Sequence, residues 1–254
     1  MSLVDNRIVK ASFRENPVEE RALFPHSTCL MPISVGQAIH EGAKFDAVIQ
    51  LINRSFKQCT ILVDDSVQRH TIGIMNHASP DELYQLAVAE GDAWLKRNEM
   101  AYNQLTIPFD IMRWDDWFNN PNYINSHLQV QAEYETNDAF RAAIHANIDE
   151  FLTRYLSRYN PDEIDHERAF ILCLEYLIEE CAVMCLWTQG RYDFEVYPSG
   201  RNKAMGATYQ YLIQPLHPHY LRPVALRFKK YPAKEAVNEM LAHHGNSCSY
   251  VETQ

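Results

Sequence analysis

Short runs of apolar residues alternate along the chain with longer stretches in which apolar residues recur at helical spacing. Runs of the first kind predict strands, and stretches of the second kind predict helices. The predicted strands, some of which end in loops, are 28–34, 58–65, 103–114 and 192–200. The predicted helices are 37–55, 80–102, 136–159, 161–189 and 231–244. We expect residues 1–26 to be an irregular or extended arm and residues 209–216 to be a further strand or loop.

Strands that alternate with helices predict an α/β fold with a mainly parallel sheet flanked by helices. Ligands of such sheets bind at the carboxyl ends of the strands. Ser34 follows the first predicted strand at this position, and Asp64 and Asp65 end the second. The pattern therefore predicts a crevice near these three residues.

The composition is that of one globular domain, which we expect to span 1–254 with a disordered tail at 245–254. The chain has 254 residues, of which 46% are hydrophobic and 22% charged. It has no apolar run of the ~18 residues that a membrane span needs and no apolar signal core at its start. We therefore expect a cytoplasmic protein without a membrane partner.

The net charge of −10 argues against nucleic acid as a partner, unless a local basic patch outweighs it. Two segments are candidates for such a patch. One is "WLKRN", with Lys96 and Arg97 at the end of the predicted helix 80–102. The other is "RPVALRFKKYPAK", which spans 222–234. On composition alone, both resemble a solvated helix end or a surface loop.

The signatures of common cofactors are missing. The chain has no GxGxxG and no GxxxxGK[ST], and its six cysteines form no CxxC pair. "HPH" at 217–219 and "HH" at 243–244 lack partners at metal-ligand spacing. Ser34 is not in a GxSxG elbow, and on local sequence alone it is a helix cap. We expect no metal and no cofactor.

A second pattern changes the interpretation of Ser34. Tyr176 and Glu180 are four residues apart, so a helix places them on one face, where the sequence becomes apolar. A buried glutamate is costly unless it meets a partner or a ligand cation. We expect the neighbouring pair, Glu175 and Glu179, to face solvent. Tyr197 then ends a strand before Pro198.

The set "ISVGQ", "YLIEE" and "VYPSG", in this order, resembles the cyclodipeptide synthases. The resemblance covers residues 28–240 and implies a Rossmann-like domain, similar to the catalytic domain of class I aminoacyl-tRNA synthetases. It implies that Ser34, Tyr176, Glu180 and Tyr197 are catalytic. It further implies two aminoacyl-tRNAs as substrates, no cofactor and a monomer. Gln37 and Pro198 resemble the subgroup that has a variable residue and proline at these positions.

In that family the serine would carry an aminoacyl group and then a dipeptidyl group as esters, and the product is a 2,5-diketopiperazine. The resemblance implies that Glu180 and Tyr176 hold the α-amino group and that Tyr197 relays a proton. Lys96 and Arg97 occupy a helix that resembles the tRNA-contacting helix of the family, although here it is far less basic. The segment 222–234 is expected to share this task.

Strand and helix spacing suggest which residues line a small, apolar first pocket. We expect Leu30 and Pro32, on the face of Ser34, together with residues of the next strand and of the helix after Glu180. These further residues are Val63, Asp65, Val183 and Met184. Glu195 shares a strand face with Tyr197, and we favour an edge charge over a second pocket.

Two rival functions stay open at this point. One is an acyl-transferring or hydrolytic serine enzyme, which requires a dedicated histidine that spacing does not single out. The other is a non-catalytic tRNA-binding module derived from a synthetase fold. The sequence does not identify the amino acids that would be joined.

Overall fold

The structure is a computed structural model, and it describes residues 7–14, 18–158 and 165–232. Its strands are β1 Arg7–Phe13, β2 Thr28–Ser34, β3 Gln58–Asp64, β4 Phe109–Arg113, β5 Phe194–Val196, β6 Arg222–Val224 and β7 Leu226–Pro232. Its helices are α1 Val18–Arg21, α2 Gly42–Asn53, α3 Arg69–Ile72, α4 Pro80–Tyr102, α5 Trp114–Phe118, α6 Tyr123–Thr136, α7 Asp138–Leu156, α8 His166–Leu186 and α9 Lys203–Thr208. None of the described helices is both long enough and apolar enough to span a membrane.

The central sheet has five strands in the order β4-β3-β2-β5-β6, and every neighbouring pair is parallel. The fold is therefore Rossmann-like α/β, as the sequence predicts. β2 lies in the middle of the sheet and is buried on both faces, which explains its continuous apolar run. Ser34 is opposite Asp64 in the register of β2 and β3, so their side chains share one face of the sheet.

The two faces of the sheet bury separate cores. Leu30 of β2 packs into the core formed with α6, α7, α8 and α9, whereas the next residue, Met31, packs into the core formed with α2 and α4. This alternation follows from the two-residue period of a strand. The parallel strand ends lie between these layers, where the chain leaves β2 and β5.

Helix α4 has the bounds that the sequence predicts, because its ends carry strong signals. Ser79 and Glu82 form a capping box, in which the Glu82 side chain accepts the Ser79 N–H at 2.9 Å, and Pro80 occupies the first turn.

The predicted helix 136–159 begins slightly later. The Asn137 side chain caps α7 by accepting the N–H groups of Ala139 and Phe140. This cap separates α7 from α6, a helix for which the sequence analysis made no prediction.

Segment 209–216 is not the predicted strand or loop. It continues α9 as a turn of π-helix at Tyr209–Ile213, in which the Gln214 N–H donates to the Tyr209 carbonyl at 2.7 Å. Its aromatic and β-branched residues favour a strand locally, but Leu212 and Ile213 are buried in the helical core, and this packing outweighs the local preference.

The arm and the end of the described chain form a two-stranded antiparallel ribbon. β1 pairs with β7 from Arg7↔Pro232 to Phe13↔Leu226. The arm is therefore extended over residues 7–13, which is one of the two conformations, irregular or extended, expected for it. The predicted helix 231–244 starts with the last two residues of β7. Its remainder and the tail 245–254 lie outside the described residues.

Candidate active site

Ser34 is the last residue of β2, and its hydroxyl meets a phenol from the neighbouring strand. The Ser34 Oγ and the Tyr197 Oη are 2.9 Å apart and share a hydrogen bond. Tyr197 directly follows β5, where its N–H donates to the Val224 carbonyl at 3.1 Å. The parallel pairing of β2 with β5 therefore brings together two residues that are 163 positions apart.

Helix α8 supplies the opposite side of the site. The Tyr176 Oη donates to the Glu180 Oε1 at 3.3 Å, one turn along the helix. The Gln68 Nε2 donates to the Tyr176 Oη at 3.5 Å and so tethers this side to the loop after β3. The second carboxylate oxygen, Glu180 Oε2, is buried and has no hydrogen-bond partner of normal geometry.

Ser34, Tyr176, Glu180 and Tyr197 all line one cavity of about 890 Å³. Its walls come from the ends of β2, β3 and β5 and from α7, α8 and α9. Apolar side chains such as Leu177 form part of the lining. A cavity of this size and composition fits an organic ligand.

Burial perturbs the acid groups of this cavity. It raises the pKa of Glu180 to about 7, although the nearby Asn202 and Tyr176 side chains offset part of the effect. Burial also raises the pKa of Tyr197 to about 12. Glu180 is therefore poised to gain or lose a proton near neutral pH, while Tyr197 stays protonated.

Glu179 does not face solvent, contrary to the prediction, and only Glu175 of that pair is exposed. The Glu179 carboxylate pairs with Arg69 and accepts hydrogen bonds from His70 at 3.2 Å and from Trp114 Nε1 at 2.8 Å. Burial raises its pKa, but the bonds from His70 and Arg69 outweigh this and lower the pKa overall. The helix thus carries two adjacent buried acids on different sides.

The residues expected to bind the substrate, which are those of the first pocket together with Gln37 and Pro198, divide into two groups. Pro32 and Gln37 line the cavity, with Gln37 exposed at its rim. The remaining residues lie outside the lining: Leu30, Val63, Asp65, Val183, Met184 and Pro198.

Strand parity explains the position of Asp65. Ser34 is opposite Asp64, so Val63 and Asp65 point to the other face of the sheet. There Asp65 pairs with Arg113 and accepts the Ser66 N–H at 2.8 Å. Asp64 occupies the position in the cavity that the sequence analysis gave to Asp65.

Packing explains the other residues outside the lining. Leu30, Val183 and Met184 are each 0% exposed and belong to the core beneath the cavity. Pro198 is buried, and its carbonyl accepts the Leu226 N–H at 3.0 Å, which joins the loop after β5 to β7.

Glu195 is not an edge charge, because β5 lies between β2 and β6. It is 1% exposed, and its carboxylate accepts a hydrogen bond from Arg201 Nε at 2.7 Å. The guanidinium of Arg201 also stacks on the Tyr209 ring, 4.1 Å from its centroid. Glu195 is thus part of a buried ion pair, and its partner Arg201 lines the cavity.

His40 is a site residue that the sequence analysis missed. The Ser34 N–H donates to His40 Nδ1 at 3.0 Å, and the imidazole packs edge-on against Tyr197 with 5.3 Å between ring centroids. Burial lowers the pKa of His40 to about 4, so the imidazole is neutral and Nδ1 is free to accept. No sequence motif indicates this role, because the path of the segment between Ser34 and His40 determines where the imidazole lies.

Lys96 and Arg97 are exposed on α4, on the side of the sheet that packs α2. Arg97 Nη2 is paired with Glu41 Oε1 at 2.9 Å. Part of the positive charge of this helix is therefore neutralised.

Within the described ranges, no group of three His, Cys, Asp or Glu side chains is placed to hold a metal ion. The five described cysteines are unpaired.

Solved structures similar to this chain include several enzymes of one family. A CDPS from Fluoribacter dumoffii is 80% identical, with a TM-score of 0.88, over 88% of this chain and 100% of that one. A cyclodipeptide synthase from Candidatus Glomeribacter gigasporarum, bound to Phe-tRNAPhe, is 18% identical, with a TM-score of 0.66, over 83% and 91%. A cyclodipeptide synthase from Bacillus thermoamylovorans is 15% identical, with a TM-score of 0.66, over 88% and 97%. These last two share the fold.

A scan against protein-family models gave no match. A search of curated proteins gave none either.

Proposed function

The chain belongs to the cyclodipeptide synthases, and from this membership we propose that it joins two amino acids, delivered by two aminoacyl-tRNAs, into a 2,5-diketopiperazine. Ser34 is the proposed nucleophile, and Tyr176, Glu180 and Tyr197 are the residues that bind the amino group and move protons. The observation that carries the proposal is one cavity holding both the Ser34–Tyr197 hydrogen bond and a buried glutamate that pairs with no lysine or arginine of the described residues.

In the first step, Ser34 Oγ attacks the ester carbonyl of the first aminoacyl-tRNA. The bond between the carbonyl carbon and the ribose oxygen breaks, and the leaving oxygen receives a proton with help from the vicinal ribose hydroxyl. An ester is already activated, so this step does not require a strong histidine base. The amino acid is then an ester on Ser34.

In the second step, the bound amino group becomes the nucleophile. Glu180 holds the α-ammonium, which supplies the cation that a buried carboxylate needs. A pKa of about 7 suits Glu180 to accept a proton from that ammonium near neutral pH. The free amine attacks the carbonyl of the second aminoacyl-tRNA ester, and the bond between that carbonyl carbon and the ribose oxygen breaks. The ribose oxygen takes up the proton that the amine loses, the second tRNA leaves, and a dipeptidyl ester remains on Ser34.

In the third step, the new amino group attacks the ester carbonyl on Ser34 and closes the ring. Tyr197 shares a hydrogen bond with Ser34 Oγ, so it can return a proton to this oxygen as the ester bond breaks. The serine is regenerated and the cyclodipeptide leaves.

For the tRNA, we propose contacts with α4 at Lys96 and Arg97 and with the β1–β7 ribbon. Arg227 and Lys229 lie on the outward face of β7, and Lys229 is directly opposite Lys10. Exposed basic side chains such as Arg227 and Lys229 suit the phosphate backbone of RNA, which binds clustered lysines and arginines.

The ribbon also adjoins the cavity, because the Leu226 N–H bonds the loop that follows Tyr197. Arg222, in the same basic segment, lies 4.0 Å from the centroid of the Phe194 ring and is less available. Lys234 lies outside the described residues.

A serine hydrolase is a weaker candidate. Within the described ranges, no histidine bonds Ser34 Oγ, and His40 accepts the backbone N–H of Ser34 rather than its hydroxyl. A hydrolase of this kind needs a histidine on the nucleophile.

The proposal is tested by expressing the chain in bacteria and analysing the culture medium by mass spectrometry. We expect a cyclodipeptide with the unmodified chain and none with Ser34→Ala. Ser199→Ala, at an exposed serine of the same cavity, is the matched control and is expected to keep the product. A medium without any cyclodipeptide, or one that keeps it with Ser34→Ala, contradicts the proposal.

A further inference from the structure

Two carboxyl groups, not one, lie buried in the cavity with an oxygen that has no hydrogen-bond partner of normal geometry, although the Asn202 side chain lies near Glu180. These oxygens are Glu180 Oε2 and Asp64 Oδ1. Glu180 is 7% exposed and Asp64 is 4% exposed, and both line the cavity. A buried polar atom without a partner costs free energy, so a ligand that supplies donors is expected at both oxygens.

Asp64 is held beside the nucleophile by the sheet. It is the last residue of β3 and is opposite Ser34 in the register, so its side chain emerges on the same face. The nearby amide of Gln68 donates to the backbone carbonyl of Asp64 at 3.3 Å and not to its side chain.

Other buried acids around the sheet have an arginine, which Asp64 lacks. Asp65 pairs with Arg113, Glu179 with Arg69, and Glu195 with Arg201. Within the described ranges, neither Asp64 nor Glu180 pairs with a lysine or an arginine. Of the five buried acids of the described residues, the two without such a partner are the two that line the cavity.

We propose that Asp64 binds the α-ammonium of the first aminoacyl group together with Glu180, each through its unpartnered oxygen. This inference rests on the proposed function, which brings an α-ammonium into the cavity. An ammonium has three N–H donors, which is enough for both carboxyl oxygens and for Tyr176 Oη.

The charges of the pair suit this ligand. Burial first, and then the neighbouring carboxyl groups, raise the pKa of Asp64 well above its usual range. The groups that act on it are Glu180 from α8, Asp65 from the turn after β3 and Glu195 from β5. The raised pKa favours the protonated form of Asp64, in which the carbonyl oxygen still accepts hydrogen bonds. When Asp64 is protonated and Glu180 is ionised, the pair carries one negative charge, which an ammonium neutralises.

The test compares two substitutions on two esters. Asp64→Asn keeps a carbonyl oxygen, and Asp64→Val removes it with a residue that strands favour. The esters are bulk aminoacyl-tRNA and the same pool after nitrous acid treatment, which replaces the α-amino group with a hydroxyl. The measured quantity is kcat/KM for ester formation on Ser34, and intact-protein mass spectrometry monitors this reaction. Thermal unfolding checks the fold, and Asp64→Ala replaces Asp64→Val if that variant does not fold.

We expect Asp64→Val to lower kcat/KM about ten- to a hundredfold with aminoacyl-tRNA, as for a lost hydrogen bond to a charged group. The same variant is expected to load the hydroxyacyl ester within about threefold of the unmodified enzyme, and Asp64→Asn to stay within about threefold on both esters. Equal losses on both esters would mean a structural role and overturn the inference, as would no loss with aminoacyl-tRNA. If the unmodified enzyme forms an ester on Ser34 with neither substrate, this result contradicts the proposed function itself.

Discussion

Glu179 and Glu180 are adjacent on α8, yet they belong to two different regions of the molecule. Glu179 faces α3 and α5, where its carboxylate pairs with Arg69 and accepts hydrogen bonds from His70 and Trp114. Glu180 faces the cavity, where its Oε2 has no partner. Both are buried, at 4% and 7% exposure.

Glu179 therefore stabilises the fold, whereas Glu180 lacks the positive partner that a bound ligand can supply. In the first region the protein itself supplies the positive charge, and the pKa of the carboxyl is lowered. In the second the protein supplies almost none, and burial raises the pKa to about 7. We infer that the substrate amine completes the second region, as argued above for Glu180 and Asp64.

The largest expected effect comes from Glu180→Gln. The variant keeps the shape of the side chain but removes the charge that binds the ammonium. Losing one member of a buried ion pair costs about 3–5 kcal/mol, so we expect the rate of cyclodipeptide formation to fall by about two to three and a half orders of magnitude. Purified enzyme and excess aminoacyl-tRNA give the initial rate.

Glu179→Gln is the matched control on the neighbouring residue. It is expected to retain catalysis, measured below its unfolding temperature. Equal catalytic losses in the two variants would remove the distinction between the two regions.

The next effect is on stability, and here Glu179→Gln is expected to cause the larger loss. Glu179→Gln leaves Arg69 without its counter-charge, with that side chain only 21% exposed. We expect the free energy of unfolding to fall by about 3 kcal/mol, which urea denaturation followed by circular dichroism measures. Glu180→Gln is expected to unfold no more easily than the unmodified chain at pH 8. A larger loss with Glu180→Gln would contradict this assignment.

The smallest effect is a pH dependence of the stability of the unmodified chain, measured relative to Glu180→Gln. Because burial raises the pKa of Glu180 from 4.5 to about 7, the folded protein binds this proton more tightly than the unfolded chain does. The stabilisation is present at low pH and is lost as the pH rises through about 7. As the pH rises from 4.5 to 8, the free energy of unfolding of the unmodified chain should therefore fall by about 2–3 kcal/mol relative to that of Glu180→Gln. A constant difference across this range would argue against a buried, unpaired carboxyl.

Much of the fold follows from the sequence, because strand and helix periods are local. The buried run of β2 and the capped ends of α4 are examples. That Ser34, Tyr176 and Tyr197 share one site was expected from the resemblance to the cyclodipeptide synthases and not from these local periods.

The rest depends on contacts between distant residues. The choice between Asp64 and Asp65 needed the register of β3 against β2, since a one-residue shift changes the face. The burial of Glu179 depended on Arg69, which lies 110 positions earlier on a four-residue helix without a clear pattern. Likewise, the position of His40 depends on the path of a loop.

The most direct test of the central claim is to locate the covalent intermediate. The enzyme is mixed with aminoacyl-tRNA, quenched in acid within the first turnover, digested and analysed by tandem mass spectrometry. The account predicts one aminoacyl group on the peptide that contains Ser34, labile to hydroxylamine as an ester is, and absent from Ser34→Ala. Cyclodipeptide formation with no acyl group on Ser34, or with the group on another residue, would contradict it.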